Sequence, residues 1–420
     1  MKIQRLRGMH DIFGPDATAF QKAEAAARSA LSRFGFSEIR TPILEEKELF
    51  SRALGTETDV VQKEMYEFTD RSKVQVAMRP EGTAGIVRAY LENDLDKSEG
   101  LCKFYYIGAM YRSERPQAGR LRQFHQIGAE VLGTDSPLAD AEAITALTVF
   151  LDEAGAGGYR VKLNNLGTFD ERKDFRKNLH DFFAPKKNEL CDDCKLRLEK
   201  NVFRLLDCKV ESCRQIAAHS PLIQDHLTAE SKAHFDAVTA ALDLSGVKWT
   251  LEPRMVRGLD YYTRTVFEIT HEALGAQDAL AAGGRYDKLI EAFGGKTAGA
   301  VGFAVGLERL LMVTQKAERT DAFQDAVFLV TLGDAAAKKG FSVMMDLRRQ
   351  GIRAEMDLAP KSMKSQMRMA DKTKSRFALI LGDNELQSGQ WMLKDMQGGT
   401  QEAVPAAELT QLLKGKFKRA

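Results

Sequence analysis

The 420-residue sequence lacks the features of several large protein classes. Cysteine is scarce, with five residues in the whole chain, which is too few for a disulfide scaffold, and a reducing compartment would keep them as thiols. No apolar run approaches the roughly 18 residues that a membrane span requires, and the opening MKIQRLRGMHDIF has no apolar signal-peptide core. We therefore expect a cytoplasmic protein with no membrane partner.

Neither sign of charge dominates the composition. Lys and Arg number 61 against 59 Asp and Glu, a formal net charge of +2. Any basic surface for a nucleic acid must therefore be local, because the chain as a whole supplies no electrostatic attraction. The length allows two or three domains, each with its own core.

The common nucleotide and hydrolase motifs are also missing. Residues 294–297 read GGKT like the end of a phosphate-binding loop, but Ile290 stands where that loop needs glycine. No GxGxxG follows a strand, and neither HExxH nor GxSxG occurs. If the chain handles phosphate, we expect arginines to do it.

The most informative segment is 104–133, where two runs rich in aromatic and β-branched residues flank a charged loop with Pro116 and Gly119. This pattern predicts two antiparallel strands and a turn. Because side chains alternate between faces, Gln126 and Glu130 share one face of the second strand with Phe124, and an amide with a carboxylate makes a poor core. The segment also carries Arg112, Glu114, Arg115, Gln117, Arg120 and Arg122. These charges indicate a hairpin that binds anions. The alternative interpretation is an ordinary solvated hairpin.

Four further blocks could complete a site. RPEGT at 79–83 follows an apolar strand, so Glu81 and Thr83 could hold an ammonium group, although an ordinary turn fits as well. RGLDYYTR at 257–264 places an arginine beside two tyrosines, which are more often packing residues in a strand. AGGRYD at 282–287 predicts a glycine-rich turn. GAVGFAVGLERL at 299–310 passes from a strand into a helix and puts Arg309 in the first turn, where the helix dipole disfavours a cation.

Two regions lie outside these blocks. From Ala326 apolar strands alternate with amphipathic helices, which predicts a separate α/β domain after a polar linker at 315–325. The expected helix from Lys361 to Lys372 carries cations at helical spacing, namely Lys361, Lys364, Arg368 and Lys372. That face suits a phosphate backbone, and a solvated surface helix is equally consistent with the charges.

The second region, about 168–227, is helical and charged and contains four of the cysteines. Cys191 and Cys194 form a CxxC pair, while Cys208 and Cys213 form a looser pair. Thiolates at such spacing can hold zinc. We expect partly buried thiols instead, so zinc is an unlikely cofactor, and Cys102 is expected in the core.

In order along the chain, these blocks resemble the class II aminoacyl-tRNA synthetases, and most closely the histidyl-tRNA synthetase family. The hairpin 111–130 is similar to motif 2, GLERL to motif 3, and FGFSEIRTPILE at 34–45, with Pro42, to motif 1. RGLDYYTRTVFE and AGGRYDKL resemble the two histidine-specific signatures. The resemblance implies an α+β core with a mixed, mainly antiparallel sheet flanked by helices, spanning 1–320. It also implies a helical insertion at about 168–227 and a C-terminal α/β anticodon-binding domain at 326–420.

The resemblance further implies an aminoacyl-tRNA ligase that joins L-histidine to tRNA(His), with ATP as substrate, Mg²⁺ accompanying it, and a homodimer formed through motif 1. Arg112 and Arg257 would be catalytic. Histidine would contact Glu81, Thr83, Arg112, Gln126, Glu130, Arg257, Tyr261 and Tyr262. ATP would contact Arg112, Glu114, Arg120, Phe124 and Arg309. tRNA would meet Arg115 and Gln117 at the hairpin and Lys361, Lys364 and Arg368 in the last domain.

Two alternatives accompany this reading. A catalytically silent relative, such as the synthetase-like regulatory subunit of histidine biosynthesis, would bind partners without catalysis. Such relatives tend to lose the arginines and the last domain, whereas Arg112, Arg257 and Arg309 are all present here. A synthetase for another small amino acid is disfavoured by Glu130 together with the tyrosine pair.

Overall fold

The computed structural model of the chain describes residues 3–56, 58–117, 119–275, 277–314, 323–359 and 361–417. Contacts divide it into two compact units, Met1–Ala317 and Glu318–Ala420. Among the helices of these ranges, none is long and apolar enough to cross a membrane.

The first unit is built on an eight-stranded sheet, counted over the described residues, in the order β1-β5-β6-β11-β10-β9-β7-β8. Within the described residues of this sheet, the β1–β5 and β7–β8 pairs are parallel and the other pairs are antiparallel, and the chain also forms a small antiparallel sheet, β2-β4-β3. The strands are β1 Ser37–Glu38, β2 Leu44–Glu46, β3 Glu67–Thr69, β4 Gln75–Met78, β5 Cys102–Tyr111, β6 Gln123–Leu132, β7 Arg160–Asn165, β8 Trp249–Leu251, β9 Thr263–Thr270, β10 Ala279–Arg285 and β11 Ala300–Gly306.

Helices cover the sheet, and their ends carry recognisable caps. Ser136 accepts a hydrogen bond from the Leu138 amide at the start of α5, and Thr168 with Glu171 forms a capping box at the start of α6. The helices are α1 Pro15–Arg33, α2 Lys47–Leu54, α3 Thr83–Glu92, α4 Leu95–Ser98, α5 Pro137–Glu153, α6 Phe169–Phe183, α7 Asp192–Lys200, α8 Glu211–Ala217, α9 Ala229–Leu244, α10 Leu289–Ala292 and α11 Leu307–Val313. Shorter turns are the π turn Val60–Glu64 and the 3₁₀ turns Ala184–Glu189, Val202–Leu205, Ile223–His226 and Glu272–Leu274.

Strand alternation separates two environments, as the hairpin pattern predicts. Ile127, Ala129 and Val131 of β6 pack into a core with α1, α5, α9 and α11. Phe124 and Gln126 face the other side, where a second core contains α2, α3 and a group of tyrosines. The mixed, mainly antiparallel sheet and the predicted hairpin are therefore confirmed.

The region predicted to be helical lies between β7 and β8 and contains α6, α7 and α8. It has a core of its own, in which Phe175, Leu179, Phe183 and Leu198 pack with the four cysteines of the region. Cys102, the remaining cysteine, begins β5 and is buried, as expected.

The second unit contains a five-stranded sheet in the described residues, in the order β13-β12-β14-β15-β16, parallel at the first three strands and antiparallel at the last two. Its elements are β12 Gln324–Thr331, α12 Asp334–Arg349, β13 Arg353–Met356, α13 Met363–Lys372, β14 Ser375–Leu381, α14 Asp383–Ser388, β15 Gln390–Asp395, β16 Gln401–Pro405 and α15 Leu409–Phe417. The predicted α/β domain is confirmed.

Two details of the prediction for this unit were wrong. The helix begins at Met363, after Ser362 caps it by accepting from the Ser365 amide, so Lys361 precedes the helix instead of sharing its face. Of the expected linker 315–325, Gln324 and Asp325 belong to β12, and residues 315–322 lie outside the described ranges.

Candidate active site

A cavity of about 1100 Å³ opens in the first unit on the face of the sheet opposite α5. Its walls come from the β5–β6 hairpin, the turn before α3, the loop before β9, strands β10 and β11, and the start of α11. The residues predicted to bind histidine and ATP all line it, namely Glu81, Thr83, Arg112, Glu114, Arg120, Phe124, Gln126, Glu130, Arg257, Tyr261, Tyr262 and Arg309. Pockets for small molecules are typically about 300–1000 Å³, so this cavity has room for two substrates.

The residues predicted to meet tRNA lie elsewhere. Arg115 and Gln117 are exposed in the loop of the hairpin, where Gln117 and Arg120 exchange two backbone hydrogen bonds. Lys361, Lys364 and Arg368 are exposed in the second unit.

The floor of the cavity is made by β6 and β11, whose register pairs Glu130 with Gly302. A Cβ atom on Gly302 would lie 1.6 Å from Glu130 Oε2, so only glycine leaves room for this carboxyl group. The glycine-rich strand therefore allows the carboxyl group of Glu130 to lie flat on the sheet.

Glu130 is the most perturbed acid of the site. Thr83 Oγ1 donates to its Oε1 at 2.7 Å and Tyr286 Oη to its Oε2 at 2.5 Å. Burial raises the pKa of Glu130 to about 8, although these two hydrogen bonds act to lower it. In the free protein at neutral pH, this carboxyl group is therefore mostly protonated.

Tyr286 was not among the predicted site residues. It lines the cavity and its ring lies 5.5 Å from that of Tyr261, which is itself 4.6 Å from Tyr262. The AGGRYD block contained the signal, but we took its glycines for a turn, and that was wrong. Gly283 and Gly284 lie within β10, where a Cβ on Gly283 would meet the Gly302 carbonyl oxygen at 2.3 Å.

Glu81 is buried where β4 gives way to α3. Its carboxylate accepts hydrogen bonds from the amides of Thr83 at 2.6 Å and Ala84 at 2.9 Å, which are free at the start of a helix. Burial raises the pKa of Glu81, against the effect of these amides. Nearby, Gln126 Oε1 is buried without a hydrogen-bond partner among the described residues, so this acceptor is available to a ligand.

Arg112 continues from β5 into the cavity. Its Nε donates to the Pro80 carbonyl at 3.0 Å, and its guanidinium lies 5.4 Å from the centre of the Phe124 ring. These contacts fix the plane of the guanidinium group. Its terminal nitrogens donate no hydrogen bond to a residue within the described ranges. Arg112 is therefore oriented but still able to bind an anion bidentately.

Arg257 and Arg309 complete the cationic wall. Arg257 pairs with Glu268 of β9. Arg309 donates to the backbone carbonyls of Ala279 at 2.5 Å and Gln277 at 2.6 Å. In both arginines Nε is buried and has no partner in the described part of the chain. The predicted position of Arg309 in the first turn of a helix, α11, is confirmed.

Glu114 and Arg120 face each other across the hairpin loop, with Arg120 donating to Glu114 Oε2 at 3.2 Å. Arg120 is exposed, whereas the Glu114 side chain is 14% exposed. The carboxylate is thus held in place at the rim, with Arg120 free to move toward a ligand.

Comparisons with known proteins agree with this geometry. The family model described as histidyl-tRNA synthetase matches residues 8–310, and the anticodon binding domain matches residues 326–416. The histidine–tRNA ligase of Thermodesulfovibrio yellowstonii is 44% identical over 417 residues, covering 99% of both chains. That of Nitratidesulfovibrio vulgaris is 46% identical over 404 residues, covering 96% of each.

Among solved structures, the apo histidyl-tRNA synthetase of S. aureus superposes with a TM-score of 0.82 at 32% identity, covering 98% of this chain and 100% of the other. The order of the motifs, the cavity that gathers their side chains and the matches over nearly the full length all agree. The chain belongs to the histidyl-tRNA synthetase family of class II aminoacyl-tRNA ligases.

Proposed function

We propose that this chain is a histidine–tRNA ligase that forms histidyl-adenylate from L-histidine and ATP and then transfers histidine to the 3′ end of tRNA(His). The observation that carries the proposal is the cavity itself. Arginines from the hairpin, from the loop before β9 and from α11 line the same space as a buried glutamate ringed by tyrosines. Because ATP and tRNA are substrates, we place the activity in the cytoplasm.

In the first step, an oxygen of the histidine carboxylate attacks the α-phosphorus of ATP, and the bond from that phosphorus to the bridging oxygen breaks to release pyrophosphate. Two anions must approach each other, so fixed cations lower the barrier. We assign this role to Arg112 and Arg257. A guanidinium keeps its charge at any physiological pH and binds phosphate or carboxylate through two parallel hydrogen bonds.

The rest of ATP would lie along the hairpin. Adenine would stack between Phe124 and Arg309, with Glu114 accepting from its amino group, and the outer phosphates would reach Arg120 and Arg309. This arrangement requires the Arg309 guanidinium to turn away from the carbonyls of Gln277 and Ala279. Mg²⁺ would enter with ATP, bound to the outer phosphates as part of the substrate.

Histidine would be selected at the floor. Glu130 and Tyr261 would address the two ring nitrogens, and Tyr262 would line the pocket. Glu81, Thr83 and the free Gln126 oxygen would receive the α-ammonium group. An amino acid without one of these nitrogens would leave a buried polar group unpaired, at a cost on the order of 1–3 kcal/mol.

In the second step, a terminal ribose hydroxyl of tRNA attacks the carbonyl carbon of the adenylate, and AMP leaves. Arg115 and Gln117 are exposed at the hairpin loop, where an acceptor end could reach them. We assign residues 326–420 to anticodon binding, with exposed Lys361, Lys364 and Arg368 as phosphate contacts. We assign residues 1–320 to the catalytic domain, which is interrupted by the insertion at about 168–227.

A homodimer through motif 1 is the proposed assembly. Ile43 and Leu44 of this segment are 43% and 47% exposed, and Phe68 on the same small sheet is 47% exposed. Such clustered apolar surface favours burial against a second copy. Light scattering should give a dimer for the wild type and a monomer for Ile43→Glu, while Leu244→Glu, on another exposed leucine, should stay dimeric.

The decisive assay is exchange of labelled pyrophosphate into ATP across a panel of amino acids. Exchange with histidine alone supports the proposal, and transfer to tRNA(His) then tests the second step. Exchange with a different amino acid would overturn the assigned specificity. A complete absence of exchange would identify a silent, regulatory relative instead.

A further inference from the structure

The insertion between β7 and β8 contains a cluster of sulfur atoms that the proposed reaction does not use. The Sγ atoms of Cys191, Cys194, Cys208 and Cys213 all lie within 4.8 Å of one another. Cys191 Sγ is 3.9 Å from Cys208 Sγ. The last three cysteines are buried, and Cys191 is half-buried.

These distances match a known coordination geometry. Zinc bound by four thiolates at about 2.3 Å in a tetrahedron places the sulfur atoms about 3.8 Å apart. Four thiols that merely filled space in a hydrophobic core would have no reason to converge on one point. The four cysteines come from two segments, one beginning at Cys191 and the other 17 residues later at Cys208. The convergence of their sulfur atoms is therefore a property of the fold rather than of sequence proximity.

The backbone also supports a metal site. Cys191 occupies the N-cap position of α7 and Cys194 lies in its first turn, while Cys208 precedes α8 and Cys213 lies within it. Each pair thus spans the start of a short helix, where free amides stabilise thiolates. The Cys191 amide donates to Cys213 Sγ at 3.2 Å, which links the two pairs and is the kind of outer hydrogen bond that orients metal ligands.

We propose that Cys191, Cys194, Cys208 and Cys213 bind one structural zinc ion in the insertion. The sequence spacing alone led us to expect no zinc, because Cys208 and Cys213 are further apart than a CxxC pair. In the structure, the turn into α8 accommodates this longer spacing. The ion would join two ends of a small core formed by short helices, and small domains often depend on such a crosslink. The site is closed by four protein ligands, so its role is structural and it needs no substrate.

Metal content is the first test. Full-length protein, purified under reducing conditions without chelator, should contain about one zinc ion per chain when measured by inductively coupled plasma mass spectrometry. Cys194→Ser should lose the metal, with a lower melting temperature and faster proteolysis within 168–227. The matched control is Cys102→Ala, which removes the one cysteine outside the cluster and should retain the zinc.

A second readout covers the case in which Cys194→Ser does not fold. Metal-free protein titrated with Co²⁺ should develop the thiolate charge-transfer and d–d bands of a tetrahedral site. Cys213→His should keep the metal with shifted bands, since imidazole can replace a thiolate. Wild-type protein with no bound metal and no cobalt bands would overturn the proposal. Five titratable thiols would then identify ordinary buried cysteines, and fewer would identify disulfides.

Discussion

Two neighbouring residues, Arg285 and Tyr286, belong to two different buried polar clusters. The clusters differ in how completely their polar groups are hydrogen-bonded within the protein. Arg285 ends β10 and is fully buried against α5, where it pairs with Asp140. Tyr286 lies on the cavity side and donates to Glu130. One cluster is satisfied entirely within the protein, whereas the other leaves groups for a ligand.

In the Arg285 cluster, every nitrogen of the guanidinium has a partner. It donates to Asp140, to Asp287 and to the carbonyl oxygens of Thr134 and Ser136. His234 Nε2 lies 2.9 Å from Asp140 Oδ2. Although burial acts to raise it, the His234 hydrogen bond and the Arg285 charge hold the pKa of Asp140 below its usual value.

The cavity cluster is incomplete by contrast. Burial raises the pKa of Glu130 to about 8, so its carboxyl group is mostly protonated at neutral pH, and Gln126 leaves an oxygen without a partner in the described ranges. Arg257 and Arg309 each leave Nε unpaired there. Buried groups without partners are costly, so the unpaired atoms of Gln126, Arg257 and Arg309 in the wall of this cavity are available to a ligand.

The largest expected effect comes from breaking the satisfied cluster. Arg285→Met would leave Asp140 as a buried carboxylate with only His234 as a side-chain partner in the described residues, and should lower the free energy of unfolding by about 3–5 kcal/mol. Urea denaturation measures this loss. A variant that remained as stable as the wild type but lost pyrophosphate exchange would make Arg285 a functional residue and erase the contrast between the clusters.

The next largest effect should come from the open cluster. Arg257→Ala removes a cation that we assign to the reacting phosphate and should reduce exchange by about 10²–10³-fold, with the melting temperature nearly unchanged. Histidine binding, measured by calorimetry, should persist in part. Arg160→Ala, which removes an exposed arginine paired with Glu272, serves as the control and should exchange like the wild type. Normal exchange in Arg257→Ala would refute the assigned role.

Selectivity gives a smaller effect. Glu130→Gln keeps the size of the protonated carboxyl group, and so should fold normally, but it cannot ionise to give a ring N–H of bound histidine a charged acceptor. The free energy of histidine binding should weaken by roughly 1–3 kcal/mol, which is about a 5-fold to 150-fold loss of affinity. Calorimetric titration measures it. Unchanged affinity would show that the histidine ring lies elsewhere in the cavity.

The contrast also explains what sequence alone could predict. Alternation along β6 placed Gln126 and Glu130 on the face opposite Ile127 and Val131, because the period of a strand is fixed by its geometry. The order of motifs supplied the family and the α+β fold. The pairing of Arg285 with Asp140, 145 residues earlier, could not be read in this way, since a contact between distant segments depends on the packing of α5.

Tyr286 and the β10 glycines were missed for a related reason. A Gly-Gly pair is typical of a turn, and only the register of β9, β10 and β11 shows that Gly283 is needed for close strand approach. The cysteine spacing likewise left zinc open until α7 and α8 brought the sulfur atoms together. Local patterns predict which face a side chain occupies, whereas partners across the fold require the structure.

The two clusters should finally differ in how pH acts on stability. Burial raises the pKa of Glu130 from 4.5 to about 8, so between these values the folded state holds a proton that the unfolded state has released. Stability should therefore fall as pH rises through this window, by at most about 1.4 kcal/mol per pH unit. Asp140 acts with the opposite sign, because its pKa lies below 3.8, and its contribution is lost only in more acidic solution. Denaturation of wild type and Glu130→Gln between pH 5 and 8 separates them: the variant should show a flatter profile, and parallel profiles would mean that Glu130 stays ionised.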